Sequence, residues 1–112
     1  MPATSPPNTM KIYISGPMTG LPDLNFPAFH EAAKKLRGLG LDVVNPAEIN
    51  ADAAGDWHQC MRADIKALCD CDVITMLPGW ENSNGAHLEI QVAHRLGIQI
   101  KLLPDLLAAA AS

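Results

Sequence analysis

Basic residues are scarce in this chain, eight Lys and Arg against twelve Asp and Glu, and they form no dense cluster. A protein that grips a nucleic-acid backbone displaces counterions with gathered cations, so a net charge of −4 argues against such a partner. Long apolar runs are lacking as well, and no stretch is long and apolar enough to span a bilayer. Cysteines number three, an odd count, and Cys69 and Cys71 are spaced C-x-C with no second pair to complete a zinc site. They read as reduced, partly buried thiols of a cytosolic protein. At 112 residues the chain has enough length to bury one sheet with helices on its faces, and too little for two cores. Residues 1–9 hold three prolines with Ser, Thr and Asn, without the basic and apolar regions of a secretory signal, and read as a disordered lead-in.

What is present alternates between two periodicities. Residues 10–15 place Met10, Ile12 and Ile14 on one side and Lys11, Tyr13 and Ser15 on the other, the pattern of a strand. The Gly16-Pro17-Met18-Thr19-Gly20 loop follows. Asn25 reads as an N-cap with Pro27 in the first turn, and Phe29, Ala32, Ala33 and Leu36 recur at helical spacing up to Gly38 and Gly40. A short strand over 41–44 stops at Asn45-Pro46, and 46–55 reads as a loop. Trp57, Met61, Asp64, Ile65 and Leu68 form one helical stripe, and 72–77 is an apolar run suited to a central strand. A turn-rich loop at 78–85, a helix at 86–96 closed by Gly97, and a strand at 98–102 complete a β-α-β-α-β-α-β order. Such alternation predicts an α/β domain over 10–103 with a parallel sheet of four to five strands and helices on both faces. Residues 104–112 are expected to be a tail or a frayed helix.

Ligands of such sheets bind beyond the carboxyl ends of the strands, where strand order reverses. The two most Gly/Pro-rich loops, 16–20 and 78–85, fall on that edge. Glu89 lies about one turn into the helix after the second loop, where the helix dipole favours a charged carboxylate. It suits a nucleophile toward an anomeric carbon, and equally an acid that merely stabilises the helix. Asp64 is a carboxylate inside an apolar stripe, which is costly unless it is paired or reaches the cleft, and partial burial would suit it to general-acid work. Tyr13 stands on the polar face of the first strand, placed to orient a carboxylate. Ser83, Asn84 and Gly85 offer hydroxyl, amide and backbone donors for a sugar or phosphate, or simply a good helix start. His87 and Glu89 form an H-x-E without the downstream P-C-x-x-C of zinc deaminases, so no metal site is expected.

Taken together, the Tyr13-Ile14-Ser15-Gly16-Pro17-Met18-Thr19-Gly20 opening, Asp64 with Asp72, and Ser83-Asn84-Gly85-Ala86-His87-Leu88-Glu89 resemble the nucleoside 2-deoxyribosyltransferase superfamily. That superfamily includes the 2'-deoxynucleoside 5'-phosphate N-hydrolases. Within it the sequence is most similar to the DUF4406 branch of bacterial and phage proteins, over roughly 10–102. The resemblance implies a flavodoxin-like three-layer fold and a cofactor-free, metal-free double displacement at C1' of a 2'-deoxynucleoside or its 5'-monophosphate. Glu89 would be the nucleophile, Asp64 the acid assisting base departure and Tyr13 the group that positions Glu89. Gly16, Pro17, Met18, Ser83, Asn84, Gly85 and Trp80 would contact substrate. Ser83 stands where the monophosphate hydrolases carry serine near the phosphate, whereas Thr19 lies in the loop where they place an arginine. The resemblance further implies a homodimer or higher homo-oligomer, with Trp80 in a pocket wall or at the subunit interface. Two other readings remain: a nucleotide-binding module without catalysis, and a phage-type accessory protein of the same fold.

Overall fold

The computed structural model describes residues 10–50 and 56–111. Four strands, β1 (Lys11–Ser15), β2 (Asp42–Val44), β3 (Val73–Met76) and β4 (Gln99–Leu102), form one parallel sheet in the order β2-β1-β3-β4. Ile12 is in register with Val43 on one side and Val73 on the other, and Ile74 with Ile100. The helices are α1 (Phe26–Gly38), α2 (Pro46–Ile49), α3 (Trp57–Leu68), α4 (Asn84–Leu96) and α5 (Leu103–Ala111).

Strand side chains alternate between faces, and the core divides accordingly. Ile12, Ile14 and Val73 pack against Phe29, Ala32 and Leu36 of α1 and Leu106 of α5. On the opposite face Tyr13 and Ile74 pack with Leu68 of α3 and Ala93 of α4. The result is the three-layer α/β arrangement expected from the alternation of elements, with four strands. The connection from β1 runs to β2 on one side and that from β3 runs to β4 on the other. Strand order therefore reverses between β1 and β3, and a crevice opens above their carboxyl ends.

Several local expectations are corrected. Asn25 is no side-chain cap: its backbone is left-handed, φ 60°, and its amide donates to the Pro17 carbonyl at 2.9 Å, tying the first loop to α1. The segment read as a loop from residue 46 begins with α2, because the Asn45 side chain accepts from the Ala47 N–H at 3.0 Å and Pro46 sits at the first helical position. The rest of that loop, 51–55, lies outside the described residues, as does the lead-in at 1–9. α4 starts two residues before Ala86, since Ser83 Oγ accepts from the Ala86 N–H at 3.1 Å. Of the two readings of the C-terminal end, tail or frayed helix, the chain forms a helix, α5, held down by the buried Leu106.

The two loops beside the crevice interlock. A Cβ on Gly16 would lie 2.9 Å from the Leu77 Cβ, and Gly79, at φ 89°, packs under the Pro17 ring. Gly16→Ala is therefore expected to destabilise the fold by about 1 to 3 kcal/mol through forced separation of β1 and β3, read as a lower Tm in thermal unfolding. An unchanged Tm would show that this contact relaxes freely.

Candidate active site

The crevice holds a cleft of about 730 Å³ between the loop after β1, the start of α1, α2, α3 and the start of α4. Its walls are mainly apolar: Leu24, Phe26 and Phe29 on one side, Trp57 and Met61 on another. Polar groups sit where the strands end, and Glu89 and Asp64 both line the cleft.

Tyr13 and Ser15 occupy alternate positions on one face of β1, two residues and roughly 7 Å apart. The longer side chain starts lower on the strand, so both hydroxyls arrive at the same height. Tyr13 Oη donates to Glu89 Oε2 at 2.5 Å and Ser15 Oγ donates to Glu89 Oε1 at 2.6 Å. Tyr13, Ser15 and Glu89 are all buried. Burial raises the Glu89 carboxyl to about 7; the Ser15 and Tyr13 hydrogen bonds oppose that rise, and the nearby Asp64 charge adds to it. Burial also pushes the Tyr13 phenol well above its ordinary value, with Glu89 adding to the effect, so Tyr13 remains a donor.

Asp64 faces the cleft from the α3 stripe that also carries Met61. Burial raises its carboxyl to about 6, opposed by the Asn50 amide, which donates to Oδ1 at 2.9 Å. With Oδ1 engaged as an acceptor, the acidic proton belongs on Oδ2. Asn50 follows α2, which Arg37 of α1 anchors by a two-pronged contact to Glu48 at 2.7 and 2.8 Å.

Of the residues singled out in the sequence, Glu89, Asp64, Gly16, Pro17, Met18, Ser83, Asn84 and Gly85 line this cleft. Tyr13 is buried and does not line the cleft, and it meets the site through its bond to Glu89. Trp80 does not line the cleft. It sits on a 3-10 turn with its ring against His87, centroids 5.6 Å apart, and His87 Nε2 donates to the Glu81 carbonyl at 2.7 Å. Sequence reasoning passed over Ser15 and Asn50. Ser15 was legible, sharing the strand face of Tyr13 at a period of two; Asn50, placed by a tertiary contact, carried no such signal. Among the described residues, no three His, Cys, Asp or Glu side chains gather as a metal site.

A parallel α/β sandwich with order β2-β1-β3-β4 and a carboxylate at its switch point has the fold of the nucleoside 2-deoxyribosyltransferase-like proteins. Within that class, the chain belongs to the DUF4406 family, a domain of unknown function whose model matches residues 10–102. Among solved structures it is similar to the 2-desoxiribosyltransferase from Leishmania mexicana, with TM-score 0.65 and 21% identity over 83% of this chain. It is also similar to the Clostridium botulinum CMP N-glycosidase BcmB, with TM-score 0.58 and 24% identity over 82% of this chain. The chain spans 63% and 66% of those two proteins. At these identities the likeness establishes the fold. No curated protein matches the sequence.

Proposed function

We propose that this protein cleaves the N-glycosidic bond of a 2'-deoxynucleoside through a glycosyl ester on Glu89. The observation that carries the reading is a carboxylate at a cleft, gripped on both oxygens by buried hydroxyls, with a second carboxyl of raised pKa facing the same space. A Glu89 oxygen attacks C1', the C1'–N bond breaks, and the electron pair leaves on the base nitrogen, which takes the Asp64 proton. Water, or a second base, then attacks C1' and gives a proton to the Asp64 carboxylate, and the ester bond breaks to free Glu89. Both proteins of similar fold are named for chemistry at an anomeric carbon, one transferring a deoxyribosyl group and one cleaving an N-glycoside. The test is incubation with a panel of 2'-deoxynucleosides and chromatography for free base; no release from any of them would remove the proposal.

Whether a 5'-phosphate is wanted turns on the charges around the cleft. Among the described residues the titratable lining groups are Cys60, Asp64 and Glu89, each neutral or negative. All eight Lys and Arg and all four His lie among the described residues, and none lines the cleft. A phosphate within about 8 Å of an ionised carboxylate meets about 2 kcal/mol of repulsion at an effective dielectric of 20. The uncharged nucleoside is therefore the expected substrate, with kcat/KM more than about tenfold above that of its 5'-monophosphate. Equal or higher kcat/KM for the monophosphate would assign the Ser83–Gly85 helix start to phosphate.

A further inference from the structure

The mechanism asks more of Glu89 than being a carboxylate in the right place. The last torsion of a glutamate is broad and roughly two-fold, so one hydrogen bond leaves the carboxyl plane free to turn. Two donors on different oxygens fix the plane. Tyr13 supplies one, on Oε2, and Ser15 the other, on Oε1 at 2.6 Å. Ser15 is fully buried, so solvent cannot replace its hydroxyl. Neither Ser15 nor Tyr13 lines the cleft, whereas Glu89 does. Both donors thus grip the carboxylate from behind and leave its cleft side open to a ligand.

We propose that Ser15 is a positioning residue for Glu89: its hydroxyl fixes the plane of the carboxylate jointly with Tyr13 and favours the charged, attacking form. The catalytic part of this inference rests on the glycosidase reading; the part concerning Glu89 ionisation stands without it.

The charge environment that Ser15 works against is small. Tyr13 from β1 donates to Glu89 and favours its charged form, whereas burial and the like charge of Asp64 from α3 favour its neutral form. Cys60 of α3 shares the cleft lining. β3 presents Ile74 and Met76 on this face, which do not ionise. On α4 itself, His87 is turned outward to the Glu81 carbonyl. Hydrogen bonds to an ionised carboxylate favour it, and where the group is buried the loss of one is uncompensated.

The experiment compares wild type, Ser15→Ala and Ser15→Thr in two ways. Carboxyl carbon NMR titrates Glu89 directly and needs no turnover. The pH profile of base release reads the same ionisation in action. Ser15→Ala is expected to raise the Glu89 midpoint by about one pH unit, a tenfold change in its ionisation constant. With Asp64 titrating below Glu89, it is expected to lower kcat/KM about tenfold at pH 6, with a smaller loss at pH 8, and so to carry the alkaline limb to higher pH. Ser15→Thr, which keeps the hydroxyl, is expected to hold the midpoint near wild type. Should Ser15→Ala fold poorly, Ser15→Cys, a weaker donor, is expected to give a smaller shift of the same sign. An unmoved or lowered Glu89 midpoint in the Ala or Cys variant overturns the proposal. So does a uniform loss of stability and rate with no change in either profile, which would mark Ser15 as a packing residue. If wild type releases no base, the glycosidase reading fails, while the NMR midpoint still decides the role of Ser15 in ionising Glu89.

Discussion

Glu89→Gln is expected to abolish base release, by about 10³-fold or more, and in the same protein to raise the stability of the fold above pH 7. The first effect follows from removing the atom that bonds to C1'. The second follows from proton linkage. The Glu89 carboxyl is raised from 4.5 to about 7, so between those values the folded state holds a proton that the unfolded chain has released. Stability from this group therefore falls as pH rises through that window, and the full penalty is present above 7. A shift of this size corresponds to about 3 kcal/mol, and Gln, of similar shape, does not ionise. Its amide can still accept from one of the two hydroxyls, while its NH₂ faces the other and makes that hydroxyl turn to accept, which takes back part of the gain. The expected result is a Tm higher by about 5 to 10 °C at pH 8 and nearly unchanged at pH 4.5. Circular-dichroism melts at the two pH values check it. A variant less stable than wild type at pH 8 would mean that the charged carboxylate is a net stabilising acceptor for Tyr13 and Ser15.

This opposition between activity and stability was partly legible before any coordinates. The two periodicities placed the elements because each reports a face: residues 10–15 and 72–77 read as strands, and Phe29 to Leu36 and Met61 to Leu68 as helices, all of which form. Glu89 and Asp64 stood out because an acid on an apolar stripe or at a cleft edge conflicts with its surroundings, and such conflicts mark places where chemistry outweighs stability. Tyr13 gained meaning only beside a distant glutamate, and that pairing came from family likeness; the strand pattern by itself says only that Tyr13 and Ser15 share a face.

What escaped the sequence was set by tertiary contacts or by elements too short to be periodic. α2 is a single turn, and four residues carry no helical repeat; its cap at Asn45 was the visible clue. Asn25 looked like a cap because of its residue type, yet the Pro17 carbonyl across the loop captured its amide. Nothing in an Ala- and Leu-rich end shows that Leu106 will be buried under α1's layer, since the same composition suits a frayed terminus. Trp80 sits in the loop expected to touch substrate, but a loop does not determine which way its ring turns, and the ring packs on His87 instead.

Asp64→Asn is expected to lower kcat/KM by about 10² to 10⁴-fold, the usual worth of a positioned proton donor. It should also change the shape of the pH profile in a way that separates it from every other variant. Glu89 must be ionised, which adds activity as pH rises through about 7, and Asp64 must be protonated, which removes activity as pH rises through about 6. The wild-type profile is therefore a bell centred near about 6.5, whose limbs belong to the coupled pair. The correctly charged form is a minority at that optimum, so a base that departs readily without protonation should lose less when Asp64 is removed. Asparagine abolishes the alkaline limb, because nothing remains to be deprotonated. It also takes away the like charge that helps raise Glu89, so the Glu89 midpoint read by carboxyl carbon NMR moves to lower pH, opposite to the movement expected for Ser15→Ala. Measuring kcat/KM from pH 4.5 to 9 alongside the NMR titration of Glu89 for the three proteins reads all of this. A bell retained in Asp64→Asn would transfer the acid role to another group and leave Asp64 as a wall of the cleft.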